Sequence, residues 1–236
     1  MVTAARRNAS IAKDIDVADV AVVDMTVHPV PGYKQKAQAA VLQSHFRTIA
    51  FDKMRTEEQL AYAVGALARP IEDYSAIGLF IQTPVKGPKE IQARFDQFKK
   101  EYAVELDNMS LDTFAQLKNA TLVSLKEQPK NLSDEMGPLI TDWYRENFNF
   151  DSKQKLIDEV EKVTLEDIKQ YYKQTMLNPQ AARLNVQLRG TKFVESDFAD
   201  LPNQTKIQSL ETYYNGIKLQ NRLYIFIQLK NTNPLN

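Results

Sequence analysis

The sequence predicts an α+β domain, a mostly antiparallel sheet packed against several helices. Two observations carry this. Apolar runs of strand length at residues 17–28, 61–68, 76–83 and 182–190 bracket long stretches whose apolar residues recur at helical spacing. No Gly/Ser- or Pro-rich linker interrupts residues 17–190, so the elements read as one unit: strand, helix, two strands, a long helical run, strand. Residues 17–195 are assigned to this domain, 1–16 to a linker or tail, and 196–236 to a C-terminal extension.

The elements follow in order. "VADVAVVDMTVH", residues 17–28, is rich in β-branched residues and stops at Pro29, before a turn at Val30-Pro31-Gly32. Ala37, Val41, Leu42, Phe46, Ile49 and Met54 then mark one face of a long amphipathic helix over 34–54. "AYAVGALA" and "AIGLFIQT" read as strands joined through "RPIEDYS". Beyond Pro84 the period becomes helical, with Ile91, Phe95, Phe98, Tyr102 and Leu106 on one stripe. Four more helices follow. Ser110 caps the first, Ser133 precedes one ending near Phe148, Asp151 with Gln154 caps the third, and Thr164 with Asp167 forms a capping box for the last. "ARLNVQLRG" closes the sheet. In the tail, "SLETYYNG" is consistent with a short helix and "RLYIFIQL", residues 222–229, with an edge strand or a sticky exposed segment.

Composition removes several functions. Thirty basic residues balance thirty acidic ones, which leaves no electrostatic case for nucleic acid or an anionic membrane as partner. No window approaches the roughly 18 consecutive apolar residues of a spanning helix. The first residues, "MVTAARRNASIAKD", carry an arginine pair with no apolar core after it, unlike a secretion signal. There is no cysteine, which excludes disulfides and thiolate metal sites. The two histidines, His28 and His45, lie in unlike contexts without metal-ligand spacing, so no metal site is expected. G-x-S-x-G, P-loop and G-x-G-x-x-G signatures are absent. The carboxylate pairs Glu57/Glu58 and Asp134/Glu135 read as solvated helix faces rather than general acid–base partners. No catalytic residue is assigned in this chain.

Phe51–Val64, "FDKMRTEEQLAYAV", holds the two residues of most chemical interest. Arg55 offers a planar, permanently charged fork of donors, and Tyr62 a phenol donor on a rigid apolar body. Projected into one cleft, the pair would clamp a carbonyl or a developing oxyanion. Their spacing leaves this open. Seven residues along a helix is two turns on one face, but seven along a strand reverses the face. A helix C-terminus whose arginine complements the dipole, followed by a strand whose tyrosine is core, fits the same letters.

The stretch also resembles a known segment. "MRTEEQLAYAV" is similar to the R-T-x-E-Q-L-G-Y-x-V segment of the pitrilysin/insulysin family of inverted-motif zinc metalloendopeptidases. "GLFIQTP", "NMSLDTFAQLKNA" and "NFNFDSKQKLIDEVEKVTLEDIKQYY" follow in family order, so the resemblance covers residues 17–195 and extends to "IQSLETYYNG". It implies the last of four homologous, processing-peptidase-like domains in a two-lobed bowl that encloses peptides and unfolded polypeptide. The family's zinc lies on the first domain, in an H-x-x-E-H motif whose glutamate is the general base. That motif is absent here, so the resemblance implies a C-terminal piece without a metal centre, partnered by an N-terminal catalytic lobe. Arg55 and Tyr62 match the family residues that bond the substrate carbonyl. Bacterial members are exported, which would place the parent in the periplasm. One departure is visible, Ala61 where the family has glycine. A purely structural or interaction domain of the same fold is the alternative.

Overall fold

The computed structural model describes residues 8–202, 204–209 and 211 of the chain. Its centre is the strand Val20–Val27 (β2), which pairs on both sides, antiparallel to Tyr74–Thr83 (β4) and antiparallel to Ala182–Arg189 (β5). The hairpin of Ala63–Ile71 (β3) and β4 forms one flank. On the other, Asn8–Asp14 (β1) runs parallel to β5, and Gln204–Lys206 (β6) runs parallel to β1. The six-stranded order is β3-β4-β2-β5-β1-β6. The sheet is α+β in style and mostly antiparallel, as its strand runs predict.

Two strands fall in stretches that the sequence assigns to the linker and the extension. β1 carries a single fully buried residue, Ser10, and its partner β5 lies about 175 residues away, so no local pattern announces it. β6 is only three residues long. "RLYIFIQL" and most of "SLETYYNG" lie outside the described residues.

Helices cover one face of the sheet. Tyr33–Phe51 (α1) packs on β3 and β4, beside Pro88–Asp107 (α2) and Leu165–Thr175 (α6). Phe46 from α1 meets Phe98 and Tyr102 of α2 and Tyr172 of α6, with centroids 5.8, 4.7 and 5.8 Å away. These rings sit over Val20 and Val22 of β2 and Leu79 and Ile81 of β4, all buried. Interdigitated aromatic and branched side chains of this kind supply most of the burial that stabilises a domain.

The helix boundaries follow local chemistry. Glu90 accepts the Gly87 N–H (3.1 Å) and Pro88 opens α2 at a position needing no donor. Ser110 caps Leu111–Lys126 (α3) through the Thr113 N–H at 3.0 Å. Thr164 and Asp167 bond reciprocally at the start of α6, at 3.0 and 3.2 Å. Two expected caps are replaced. Leu132–Tyr144 (α4) is capped by Asn131, which accepts the Asp134 N–H at 3.0 Å, so the helix begins two residues earlier than Ser133 implies. It also ends at Tyr144 rather than near Phe148. The Asp151 side chain does not cap Ser152–Lys162 (α5). Its Ser152 N–H donates instead to Asp142 of α4 at 3.2 Å, while Asp151 pairs with Lys155.

Between sheet and α2 lies a buried ionic knot. Asp24 of β2, with no exposed surface, accepts from Lys99 of α2 and from Arg183 of β5. Asp96 reaches the same two cations at 3.2 and 2.9 Å, and Gln92 donates to Asp24 at 3.3 Å. Asn185 and Gln187 extend the chain of bonds along β5. Burial alone would raise the Asp24 carboxyl, but the Lys99 and Arg183 charges and hydrogen bonds outweigh it and hold the group at about 2.

Candidate functional site

The long helix expected over 34–54 stays α-helical to Phe51, then widens into a π-helical turn, Asp52–Glu57. The Glu58 N–H reaches back to Lys53 O (3.1 Å) and the Leu60 N–H to Met54 O (2.9 Å). Gln59 takes a left-handed φ of 49°, which turns the chain out of the helix. Met54 on one side and Leu60 on the other are buried and pin the turn to the core. The Thr83 hydroxyl holds the Leu60 carbonyl, and the same oxygen accepts the Val85 N–H at 3.0 Å. Outside, Arg94 of α2 grips Glu58 through two parallel bonds, 2.9 and 2.6 Å, and also Glu101 at 2.9 Å.

Arg55 and Tyr62 therefore belong neither to one helix nor to one strand. The π-turn aims Arg55 back along the bend, and the extended segment after Gln59 brings Tyr62 to meet it. Arg55 donates to the Tyr62 carbonyl, with its guanidinium 5.4 Å from the centre of the Phe51 ring. The Tyr62 side chain is 47% exposed and its hydroxyl donates to the Asp19 carboxylate. Both side chains line one open cleft of about 340 Å3 with Gln59, Ala61, Pro84 and Val85. Ala61 is buried and is not among the residues with positive φ, so a methyl group fits at this point and the unusual angle falls on Gln59.

The phenol of this cleft is in the right protonation state for a carbonyl. The hydrogen bond to Asp19, followed by partial desolvation, raises the Tyr62 phenol above its ordinary value, so it stays a proton donor at neutral pH. The guanidinium spends one N–H on Tyr62 and keeps others for a ligand.

Asp19 is the residue that sequence reading misses. It lies 43 positions before Tyr62 and no spacing rule joins them. The half-buried Asp19 ends the loop before β2, and Gly190 holds that loop in place. A Cβ on Gly190 would lie 2.3 Å from the Asp19 carbonyl oxygen and 2.4 Å from that of Val17. The Thr191 N–H also donates to Val17 O at 2.8 Å.

Five of the other polar candidates have structural partners. Glu57 pairs with Lys53 at 2.7 Å, Glu58 with Arg94, and Asp134 with the start of α4. His28 stacks on Tyr171 and meets Gln174 at 3.1 Å. His45 meets the Tyr102 hydroxyl at 2.8 Å, and burial lowers its pKa. Among the described residues, no three His, Cys, Asp or Glu side chains are gathered as a metal would need. A second cleft, of about 390 Å3, lies between α1, the β3–β4 hairpin and α3–α5, away from Arg55 and Tyr62; Lys36, Arg69, Arg145 and Lys153 line it and no carboxylate does.

Comparison with known proteins finds several likenesses. Residues 41–140 match the model of the PQQ synthase PqqF-like C-terminal lobe, domain 4. Protease 3 of Salmonella typhi is 26% identical over 166 residues, covering 70% of this chain. The chain is similar to C-terminal domains of pitrilysin-like proteases. It spans 17% of the length of that Protease 3. The crystal structure of pitrilysin superposes with a TM-score of 0.80 at 22% identity, over 88% of this chain and 22% of pitrilysin. A Pseudomonas fluorescens structure described as a peptidase M16 inactive domain matches with a TM-score of 0.55 at 14% identity, over 78% of this chain and 44% of that one. The two solved structures share the fold of this chain.

Proposed function

We propose that this chain is the non-catalytic C-terminal domain of a zinc metalloendopeptidase, which closes a peptide chamber and supplies Arg55 and Tyr62 to a substrate carbonyl beside a zinc on another domain. One observation carries the reading: the π-turn and the Gln59 bend bring a guanidinium and a protonated phenol to the same open cleft. Two such donors stabilise the oxygen that gains negative charge as water adds to a peptide carbonyl. The described residues of this chain do not fit a zinc site, because His28 and His45 are each held by a different partner. Bound on another domain of the parent, zinc would supply a Lewis acid and an activated water. The work assigned here is to orient the carbonyl and take up its charge.

The partner in this reading is the N-terminal catalytic lobe of the same enzyme, and the substrate is peptide or unfolded polypeptide. Leu132, Met136, Ile140 and Trp143 form an exposed stripe along α4, which supports docking against another domain. The same stripe favours the second reading, an interaction domain with no part in proteolysis. An H-x-x-E-H motif upstream in the parent reading frame supports the enzyme, and its absence supports the interaction domain. In the full-length parent, Arg55→Ala or Tyr62→Phe is expected to lower kcat/KM by on the order of a hundredfold while unfolding is unchanged. Near-normal kcat/KM in both variants would sink the clamp.

A further inference from the structure

We propose that Asp19 is a positioning residue that parks Tyr62: it accepts the phenol's hydrogen bond, and a substrate carbonyl must displace it as acceptor. The inference rests on the clamp reading above. A phenol has one O–H to give, and here it is given to the Asp19 carboxylate. Tyr62 therefore cannot donate to a ligand until that bond opens.

Two features set this contact apart from a chance surface bond. Asp19 forms no ion pair among the described residues, so its carboxylate is free to serve the phenol. Its backbone is also anchored: the loop lies close against Gly190, where a side chain would collide with it, and the Thr191 N–H donates to Val17 O. The acceptor is thus held still while the donor is half exposed and able to rotate away. Arg55 is parked in the same manner, on the carbonyl of Tyr62 itself. The phenol's single O–H is satisfied from within the protein, so a bound carbonyl exchanges one bond for another at Tyr62, while Arg55 still has N–H groups to give. Opening the Tyr62–Asp19 bond weakens ground-state and transition-state binding alike, so it is a cost that falls on KM rather than kcat.

The test is steady-state hydrolysis of an internally quenched fluorogenic peptide by the full-length parent, comparing Asp19→Ala, Asp19→Asn, Tyr62→Phe and the double variant Asp19→Ala/Tyr62→Phe. Asp19→Ala should lower KM roughly two- to fivefold with kcat unchanged, as expected for losing an exposed charge-assisted bond. Asp19→Asn, which keeps an uncharged acceptor, should fall between. In the Tyr62→Phe background, Asp19→Ala should change nothing. A KM that is unchanged or higher in Asp19→Ala overturns the parking role and leaves the clamp standing. The same overturning follows if KM falls equally without the phenol. Wild-type kinetics in Tyr62→Phe would instead remove the phenol from the clamp, and overturn the parking role with it.

Discussion

Asp19 and Asp24 lie five residues apart, one at the mouth of β2 and the other at its centre, and both accept hydrogen bonds from cationic or phenolic donors. Their surroundings differ. Asp24 is sealed from water beside Lys99 and Arg183, with Asp96, Gln92 and Asn185 completing the bonds around it. Asp19 is half-buried and holds a tyrosine whose side chain faces solvent. The first arrangement locks α2 to the sheet, since no water can replace a bond that breaks. The second is exchangeable, since water or a ligand can take over either end. The same residue types thus make a fastener in one place and a holder in the other, and burial decides which.

The largest expected effect attacks the fastener. Asp24→Ala strands two cations in the interior and should cost about 3–5 kcal/mol in urea unfolding. A cost near that of a surface substitution would erase the contrast. Gly190→Ala comes next: a methyl group at 2.3 Å from the Asp19 carbonyl forces the loop to move, at about 1–3 kcal/mol, and shifts Asp19 away from Tyr62. Loss of stability without displacement of Asp19 in a crystal structure would separate the two roles of that loop.

Acid gives a third measure. The Asp24 carboxyl sits at about 2 when folded, below its unfolded value near 3.8. A depressed pKa stabilises the fold above the unfolded value, and that stability is lost as pH falls through the folded one. Roughly 2 kcal/mol should therefore disappear between about pH 4 and 2, and Asp24→Asn should show a flatter profile over this window. The smallest effect belongs to the holder. Asp19→Ala and Arg55→Ala should leave Tm unchanged within error, and a clear fall would show that the cleft also stabilises the fold.

The helices were legible because their signals are local. Phe95, Phe98 and Tyr102 announce α2 by spacing alone, and Thr164 with Asp167 announces α6 by capping chemistry. The central strands were legible for the same reason. β1 was not, because Ala9 and Ile11 acquire meaning only opposite Leu184 and Val186. Asp142 capping α5 from the preceding helix is a comparable case, an amide satisfied by a neighbour that spacing rules do not reach. At the cleft, Arg55 and Tyr62 could be singled out by residue type and family likeness. Their meeting depends on a π-turn and a left-handed glutamine, neither of which has a sequence signature, and Asp19 depends on a loop fixed by a distant glycine.

The wide turn at Asp52–Glu57 has one more consequence. A π-turn is an α-helix carrying one residue too many, and each residue of an α-helix turns the chain by about 100°. Deleting a single residue there would let α1 run on at ordinary pitch and swing the guanidinium a quarter-turn or more around the helix axis. The aim of Arg55 is therefore encoded in a residue count, so a deletion, which alters no side chain at the cleft, would disarm it as surely as replacing the arginine.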